Sequence, residues 1–498
     1  MSARRGSRGW PAKTPAAPAA SACTVTFAVF VVSLAPAARG DVPLPPWIDE
    51  SDVPPPAWAQ SVTRRPEDSA MFGGPDETAP AGASRGAGDS AGLVLYAEPS
   101  RASGRRGVSA PEATLPFFGT RRGSGCTGPW WLVGPLAWTC SDDAVLSAQA
   151  PAAPPRMRDA AGLSSQYMFV RTGGASAYAS LESAEDGEAD EELEGGWAVA
   201  TVGTRAARQP NTGGSSTRWV RTTKGLWIAA DDVSPARPSL FQGERVDDGR
   251  LDFAWVLSDR ANVWPSPSPA AKGKAKGTDK AKPGDFRVRF QLVRLRAAGE
   301  GGAAASAPAP PASPASAPAS AMVETADGAW MLASDLARPT PAAPPTGVLG
   351  ADEHWIDVDT VSQTLVAYEG RRPVYATLVS TGLASRGPGD ATPLGTHRIW
   401  VKLLATDMGN TKNKDQDASQ DPRYSLEDVP YVQFFDDAVG LHGTYWHGDF
   451  GHPRSHGCVN LSPLDARWMF DFTAPHLPAG WAAAYPTPVE PGTMVRVR

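Results

Sequence analysis

Four of the seven histidines and one of the four cysteines fall within nineteen residues, HGTYWHGDFGHPRSHGCVN, from His442 to Asn460. Cys458 follows His456 and Gly457, and His442 lies sixteen residues upstream beside Gly443. Two chemistries use these residue types. A thiol with an imidazole base in reach can carry acyl transfer through a covalent thioester. Histidines with a cysteine can also hold zinc, the ligands here being His442, His447, His452, His456 and Cys458. Presentation from a helix is opposed by Gly443, Gly448, Gly451 and Pro453. A zinc hydrolase also usually needs a carboxylate base beside its ligands. The thiol reading is preferred, with no metal and no cofactor expected.

Cysteine usage agrees. Arg4, Arg5, Arg8 and Lys13 precede the largely apolar run ACTVTFAVFVVSLAPAA, from Ala22 to Ala38. This pattern reads as a secretory signal over residues 1–40, with a cut before Asp41. Thr24, Thr26, Ser33 and Pro36 interrupt the run, so a retained membrane anchor is the weaker reading. Export to the periplasm or cell envelope follows, with membrane contact only through an uncleaved signal. Removal of the signal takes Cys23 with it. Cys126 and Cys140 then form a close pair expected to be a disulfide in an oxidising compartment, and Cys458 is left as an odd, reactive thiol.

A chain of 498 residues has room for about three or four domains. Its 50 Gly and 49 Pro break regular structure over roughly a fifth of the chain, alanine-proline tracts accounting for much of that, and the net charge of −6 argues against a nucleic-acid partner. Residues 41–93 read as a disordered Pro/Gly-rich linker. The stretch 182–196 reads as a solvated acidic loop, and 265–285 and 299–321 as low-complexity insertions. Between these tracts a motif recurs with tryptophan five residues before aspartate: Trp138 and Asp143, Trp227 and Asp232, Trp330 and Asp335. Strand-like alternation precedes each, as in TRWVRTTKGLWIAADDV. The repeat resembles bacterial SH3-like modules, which implies three small β modules at 94–150, 151–240 and 241–345, serving wall binding or spacing.

From His354 onward the chain alternates β-branched and aromatic residues around turns such as Glu369-Gly370-Arg371. Ser462-Pro463 signals a helix start just after the cysteine, with Leu464, Trp468, Met469 and Phe472 near helical spacing. Residues 351–498 thus read as a mostly β domain with one short helix.

These residues carry a family resemblance. His442-Gly443-Thr444, a spacer, and Ser455-His456-Gly457-Cys458-Val459-Asn460 stand as in the YkuD-type L,D-transpeptidases. Ser380-Thr381-Gly382 and the turn Thr392-Pro393-Leu394-Gly395 agree with the same family. The resemblance implies a mainly β chain: a C-terminal YkuD-like β-sandwich with a short helix after the catalytic cysteine, preceded by small SH3-like β modules and disordered linkers.

It also implies an enzyme acting on peptidoglycan tetrapeptide stems. Cys458 would attack the third residue's carbonyl, release D-alanine, and pass the thioester to an amine of a neighbouring stem, giving a 3-3 crosslink or another adduct. His442 would be the base, its ring held by a backbone carbonyl. His456 would orient the site or contact substrate, Gly457 and Cys458 would supply oxyanion N–H donors, and Ser455, Asn460, Gly443 and Thr444 would line the substrate. Carbapenem-class β-lactams are implied inhibitors. His447 and His452 read as polar residues of the cleft rim. The alternatives are a zinc-dependent envelope hydrolase, or a non-catalytic peptidoglycan-binding protein built on the tryptophan modules. The second would require a degenerate site, and the motif positions are all intact.

Overall fold

A computed structural model describes residues 61–65, 92–152, 159–208, 216–267, 285–297, 321–348, 350–410 and 424–498. All lie within the compact unit Trp47–Arg498. The signal, most of the 41–93 tract and most of the two low-complexity insertions fall outside the described residues. The chain is mainly β, with α-helices at Leu181–Asp186 and Pro463–Phe472 among the described residues.

The C-terminal domain is a sandwich of two sheets. In the first, Arg372–Leu378, Thr364–Glu369, His354–Asp359, Met494–Val497 and Gly395–Arg398 lie side by side. The alternation in the closing strand explains its placement: Val495 and Val497 enter the core, while Arg496 and Arg498 point the other way and pair with the buried Asp357 at 2.6 and 2.9 Å. In the second sheet Val401–Gly409 pairs with Ser425–Asp436, which turns back into Val439–Gly443. That strand pairs in parallel with the short Val459–Leu461. Between the sheets lies one core containing Ile356, Val358, Leu365, Val379, Phe435, Leu441, Val459 and Leu461.

The helix after the cysteine packs on the same core. Ser462 caps its first turn by accepting from the Asp465 N–H at 3.1 Å, and Pro463 fits the position that needs no N–H donor. Its buried face includes Ala466 and Phe470 with the expected Met469, while Leu464 of the expected set is only half-buried. Trp468 and Phe472 instead stack on Tyr375 and His354, with ring centroids 4.1 and 4.0 Å apart. Lys402 is fully buried beneath the helix end and donates to Thr473 O at 2.8 Å and to Phe470 O. Burial pushes its ammonium down to about 7.

The three tryptophan-aspartate repeats share one local structure. In each, a first strand pairs antiparallel with the strand that follows the aspartate: Ser61–Arg64 with Ala144–Ser147, Gln166–Val170 with Val233–Pro235, and Phe253–Val256 with Leu336–Ala337. The N–H of the residue after that first strand donates to the aspartate carbonyl every time. The donors are Arg65 to Asp143 at 3.0 Å, Arg171 to Asp232 at 2.9 Å and Leu257 to Asp335 at 2.9 Å. The recurrence is therefore three-dimensional as well as textual.

Two expectations need correction. Ser61–Arg64 lies inside the tract read as linker yet is a strand of the first module, because Val62 is wholly buried in that module's core. The acidic 182–196 stretch is ordered: Ser180 caps a helix, Gly187 ends it at φ 75°, and Glu191–Leu193 pairs with Ala175–Ala177. The modules also pack against the C-terminal domain. Trp481 of the C-terminal domain is buried in the first module's core, and its strand pairs with Arg105–Ser109. A side chain at Gly107 would meet the Trp481 ring at 2.4 Å, so glycine is required there. Glu244–Arg245 likewise adds an edge strand beside Arg372–Leu378.

Cys126 and Cys140 are joined as a disulfide across a sequence separation of 14. Closing a loop of this length restricts the unfolded chain by about 3 kcal/mol. Cys126→Ser should therefore lower the first module's unfolding free energy by about that amount. Denaturant titration followed by tryptophan fluorescence measures it; an unchanged midpoint would refute the assignment.

Candidate active site

The parallel pairing of Val439–Gly443 with Val459–Leu461 builds the site. Leu441 faces Val459, His442 faces Asn460 and Gly443 faces Leu461. Because side chains alternate along a strand, Leu441 and Val459 go to the core while His442 and Asn460 share the opposite face. Cys458 immediately precedes this strand, beside the end of Val439–Gly443. Its Sγ lies 3.8 Å from Ala438 O, and the Gly440 N–H is directed at it.

The turn that presents the cysteine is held from both sides. Gly457 takes φ +126°, a conformation suited to glycine. Its N–H donates to Ser455 Oγ at 3.2 Å, and Ser455 Oγ donates to Cys458 O. Thr392 Oγ1 donates to Gly457 O at 2.7 Å while accepting from Gly382 N at 2.8 Å. Arg454 N and Ser455 N both donate to Thr381 O, and Ser380 and Asn460 exchange a pair of backbone hydrogen bonds at 2.9 Å. Ser380-Thr381-Gly382 and Thr392 thus act as the frame of the cysteine turn. Thr444 donates its N–H to Leu461 O at 2.9 Å, and its hydroxyl is buried without a partner.

The histidines separate into different environments. His442 is buried, with Nδ1 3.3 Å from Gly443 O and its ring against Trp446 at 5.6 Å. Trp446 carries no motif signal and was missed from sequence. His456 is exposed, with Nε2 3.1 Å from Arg386 Nη1 and its ring 5.5 Å from Tyr424. His452 is exposed, as a rim residue should be. His447 departs from the rim reading. It is half-buried, Nε2 is 2.9 Å from the Asn460 amide, and Nδ1 accepts from Asp449 N at 3.2 Å. Among the described residues the grouping of metal-type ligands is Cys126, Cys140 and Asp142, where the two sulfurs are bonded to each other.

Electrostatics favour uncharged groups. Burial lowers His442 to about 4 against a small opposing effect of the Gly443 carbonyl. Burial is also the first cause that lowers His447 to about 4, aided by the nearby Arg454 charge. Burial raises the Cys458 thiol, with the Gly440 N–H pulling the other way. Burial thus favours the neutral thiol at Cys458 and the neutral imidazole at His442.

Residues 353–497 match the YkuD family model, described as the L,D-transpeptidase catalytic domain. No curated protein matches the chain. Among solved structures, a mutant of the Enterococcus faecium L,D-transpeptidase is 22% identical over 29% of this chain and 50% of its own, with a TM-score of 0.22. The L,D-transpeptidase (Yku) of Stackebrandtia nassauensis is 27% identical over 32% and 58%, with a TM-score of 0.21. L,D-transpeptidase 3 of Mycobacterium tuberculosis is 18% identical over 36% and 70%, with a TM-score of 0.23. This chain spans about half the length of the first of these.

A neutral resting pair has a measurable signature. Cys458 alkylation by iodoacetamide should show no thiolate plateau between pH 5 and 7 and should rise through and above the ordinary thiol range near pH ~8.5. The sign follows from burial, which disfavours both thiolate and imidazolium. A fast, pH-independent rate beginning near pH ~5 would instead reveal a preformed ion pair.

Proposed function

We propose, from the YkuD-type L,D-transpeptidase catalytic domain at residues 353–497, that this chain is a cysteine acyltransferase of peptidoglycan stem peptides. The observation that carries the reading is the register placing Cys458 at the head of the strand paired with that of His442. His442 takes the thiol proton as Sγ attacks the carbonyl of the stem's third residue. The amide to terminal D-alanine breaks, the same proton passes to the departing amine, and a thioester remains on Cys458. An amine of a second stem then displaces the thiol, giving a 3-3 crosslink; another amine or water would give attachment or trimming.

The site suggests a division of labour. Gly443 O orients the His442 ring without adding charge. Gly457 N–H is engaged by Ser455 Oγ in the resting structure, so the oxyanion role falls first to the N–H of Cys458. His456, exposed beside Arg386 and Tyr424, suits contact with substrate better than proton transfer from the thiol. Export to the periplasm or cell envelope, acylation by carbapenem-class β-lactams, and glycan or spacing roles for the modules belong to the same proposal.

Incubation of the full chain with tetrapeptide stems, read by mass spectrometry, tests it. Cys458→Ala should abolish D-alanine release and any carbapenem adduct while leaving the fold intact. His442→Ala should slow thioester formation by about 10²–10⁴-fold. A chelator should have no effect. Equal damage from His442→Ala and His452→Ala together with chelator sensitivity would replace this reading with the zinc hydrolase.

A further inference from the structure

The spacer between His442 and Ser455 is walled by residues far upstream. Phe450 is wholly buried in a cluster with Phe241, Phe253, Trp255 and Trp355, its ring 6.2 Å from that of Phe241. Gly451 is pressed against Leu257: a side chain there would lie 2.3 Å from Leu257 Cδ2. Arg289 Nη2 donates to Gly448 O at 3.5 Å and lies 3.8 Å from Asp449 Oδ1. Phe241 opens the stretch 241–345 read as the third module, and Leu257 and Arg289 lie within it. From the domain's own side, Ser380 Oγ donates to Asp449 O at 3.1 Å and Gly451 N to Val379 O at 2.9 Å.

What this wall fixes can be read from hydrogen-bond roles. A backbone N–H can only donate, so His447 Nδ1, which receives the Asp449 N–H, must be unprotonated. In a neutral ring the proton is then on Nε2. Nε2–H requires an acceptor, which is Asn460 Oδ1 once the amide is turned from the orientation that leaves this oxygen buried and unpaired. The side chain of Asn460 stands beside that of His442. An unbroken line of contacts thus runs from Arg289 and Phe241, through the 448–450 backbone, to His447, Asn460 and the neighbourhood of the catalytic base.

We propose that the third tryptophan module is a structural part of the active site, with Phe241 and Arg289 acting through His447 as positioning residues that orient Asn460 beside His442. The proposal rests on Cys458 and His442 being the reacting pair. It assigns the module a task besides wall binding or spacing.

The test uses the full chain and two readouts. Cys458 alkylation by iodoacetamide at pH 7.5 needs no substrate, while β-lactam acylation separates the limiting rate from the half-saturating concentration. Arg289→Ala and Phe241→Ala should each slow alkylation and limiting acylation by about 10-fold, as expected when a reacting group is slightly misplaced, with half-saturation nearly unchanged. Arg289→Lys should recover part of the loss. Met331→Ala, in the same module's core but away from the loop, should lower the melting temperature without changing either rate. His447→Gln, which keeps a donor near the Nε2 position, should retain activity, whereas His447→Asn, which mimics Nδ1, should not. Rates unchanged in Arg289→Ala, or loss in Met331→Ala as large as in Phe241→Ala, would overturn the proposal. Should Phe241→Ala fail to fold, Arg289→Ala and the Gln/Asn pair at His447 still decide it. Lack of β-lactam acylation in wild type with the alkylation pattern intact would sink the transpeptidase reading and leave the positioning inference standing.

Discussion

The site depends on a three-residue parallel pairing. Val459–Leu461 is too short to be stable alone, and it gains its place from Leu441, Val459 and Leu461 entering the core between the two sheets. A slip by one residue would send His442 into that core and Leu441 to the opposite face, so burial of the apolar set enforces the register that sets His442 beside Asn460. The cysteine turn then inherits its position, and Thr392, Ser455 and the Ser380–Gly382 backbone need only close it.

The helix after the cysteine carries a second constraint. Asp465 is wholly buried and accepts from Gly243 N at 2.8 Å, Tyr375 OH and Thr377 Oγ1 at 2.6 Å, and Ser462 Oγ at 2.8 Å. Four donors on one carboxylate make its burial tolerable, since an unpaired buried charge would be severely destabilising. One donor, Gly243, comes from the upstream chain, and a side chain there would meet Ala376 O at 2.3 Å. Trp481 in the first module, Tyr167 stacked 3.8 Å from Tyr445, and the Lys224 ion pairs to Asp407 and Glu427 complete the picture. The upstream chain is built around the C-terminal domain through its backbone as well as its surface.

What the sequence revealed, and what it hid, follows from range. The His442 to Cys458 motif, the Ser462-Pro463 helix start, the alternation of GTMVRVR and the Cys126–Cys140 pairing are local or have strong residue signatures, and the structure shows these features where local chemistry places them. Val62 gives no such signal: one buried valine in a polar stretch becomes a strand only because a module core receives it. The acidic 182–196 segment is solvated as its composition suggests, but it looked like a loop because composition outweighed the helix signals of Ser180 and Gly187. His447 looked like a rim residue because its surroundings are not local: Asn460 reaches it through strand pairing, and Arg289 behind Gly448 lies more than 150 positions upstream.

The neutral resting pair fits a chain that also carries a disulfide. Thiol–disulfide exchange and oxidation proceed through the thiolate, so a thiol whose ionisation burial opposes is slow in both. The same burial that lowers His442 favours an unprotonated ring, as the proposed base role would require. On the proposed mechanism, activation would be tied to substrate, because nucleophile and charge would appear together only as the tetrahedral centre forms and offers an oxyanion to the backbone donors. Low dielectric around Cys458 and His442 would then serve two ends: it would protect a thiol in a chain that also carries a bonded cysteine pair, and it would strengthen whatever hydrogen bonds the proposed transition state makes.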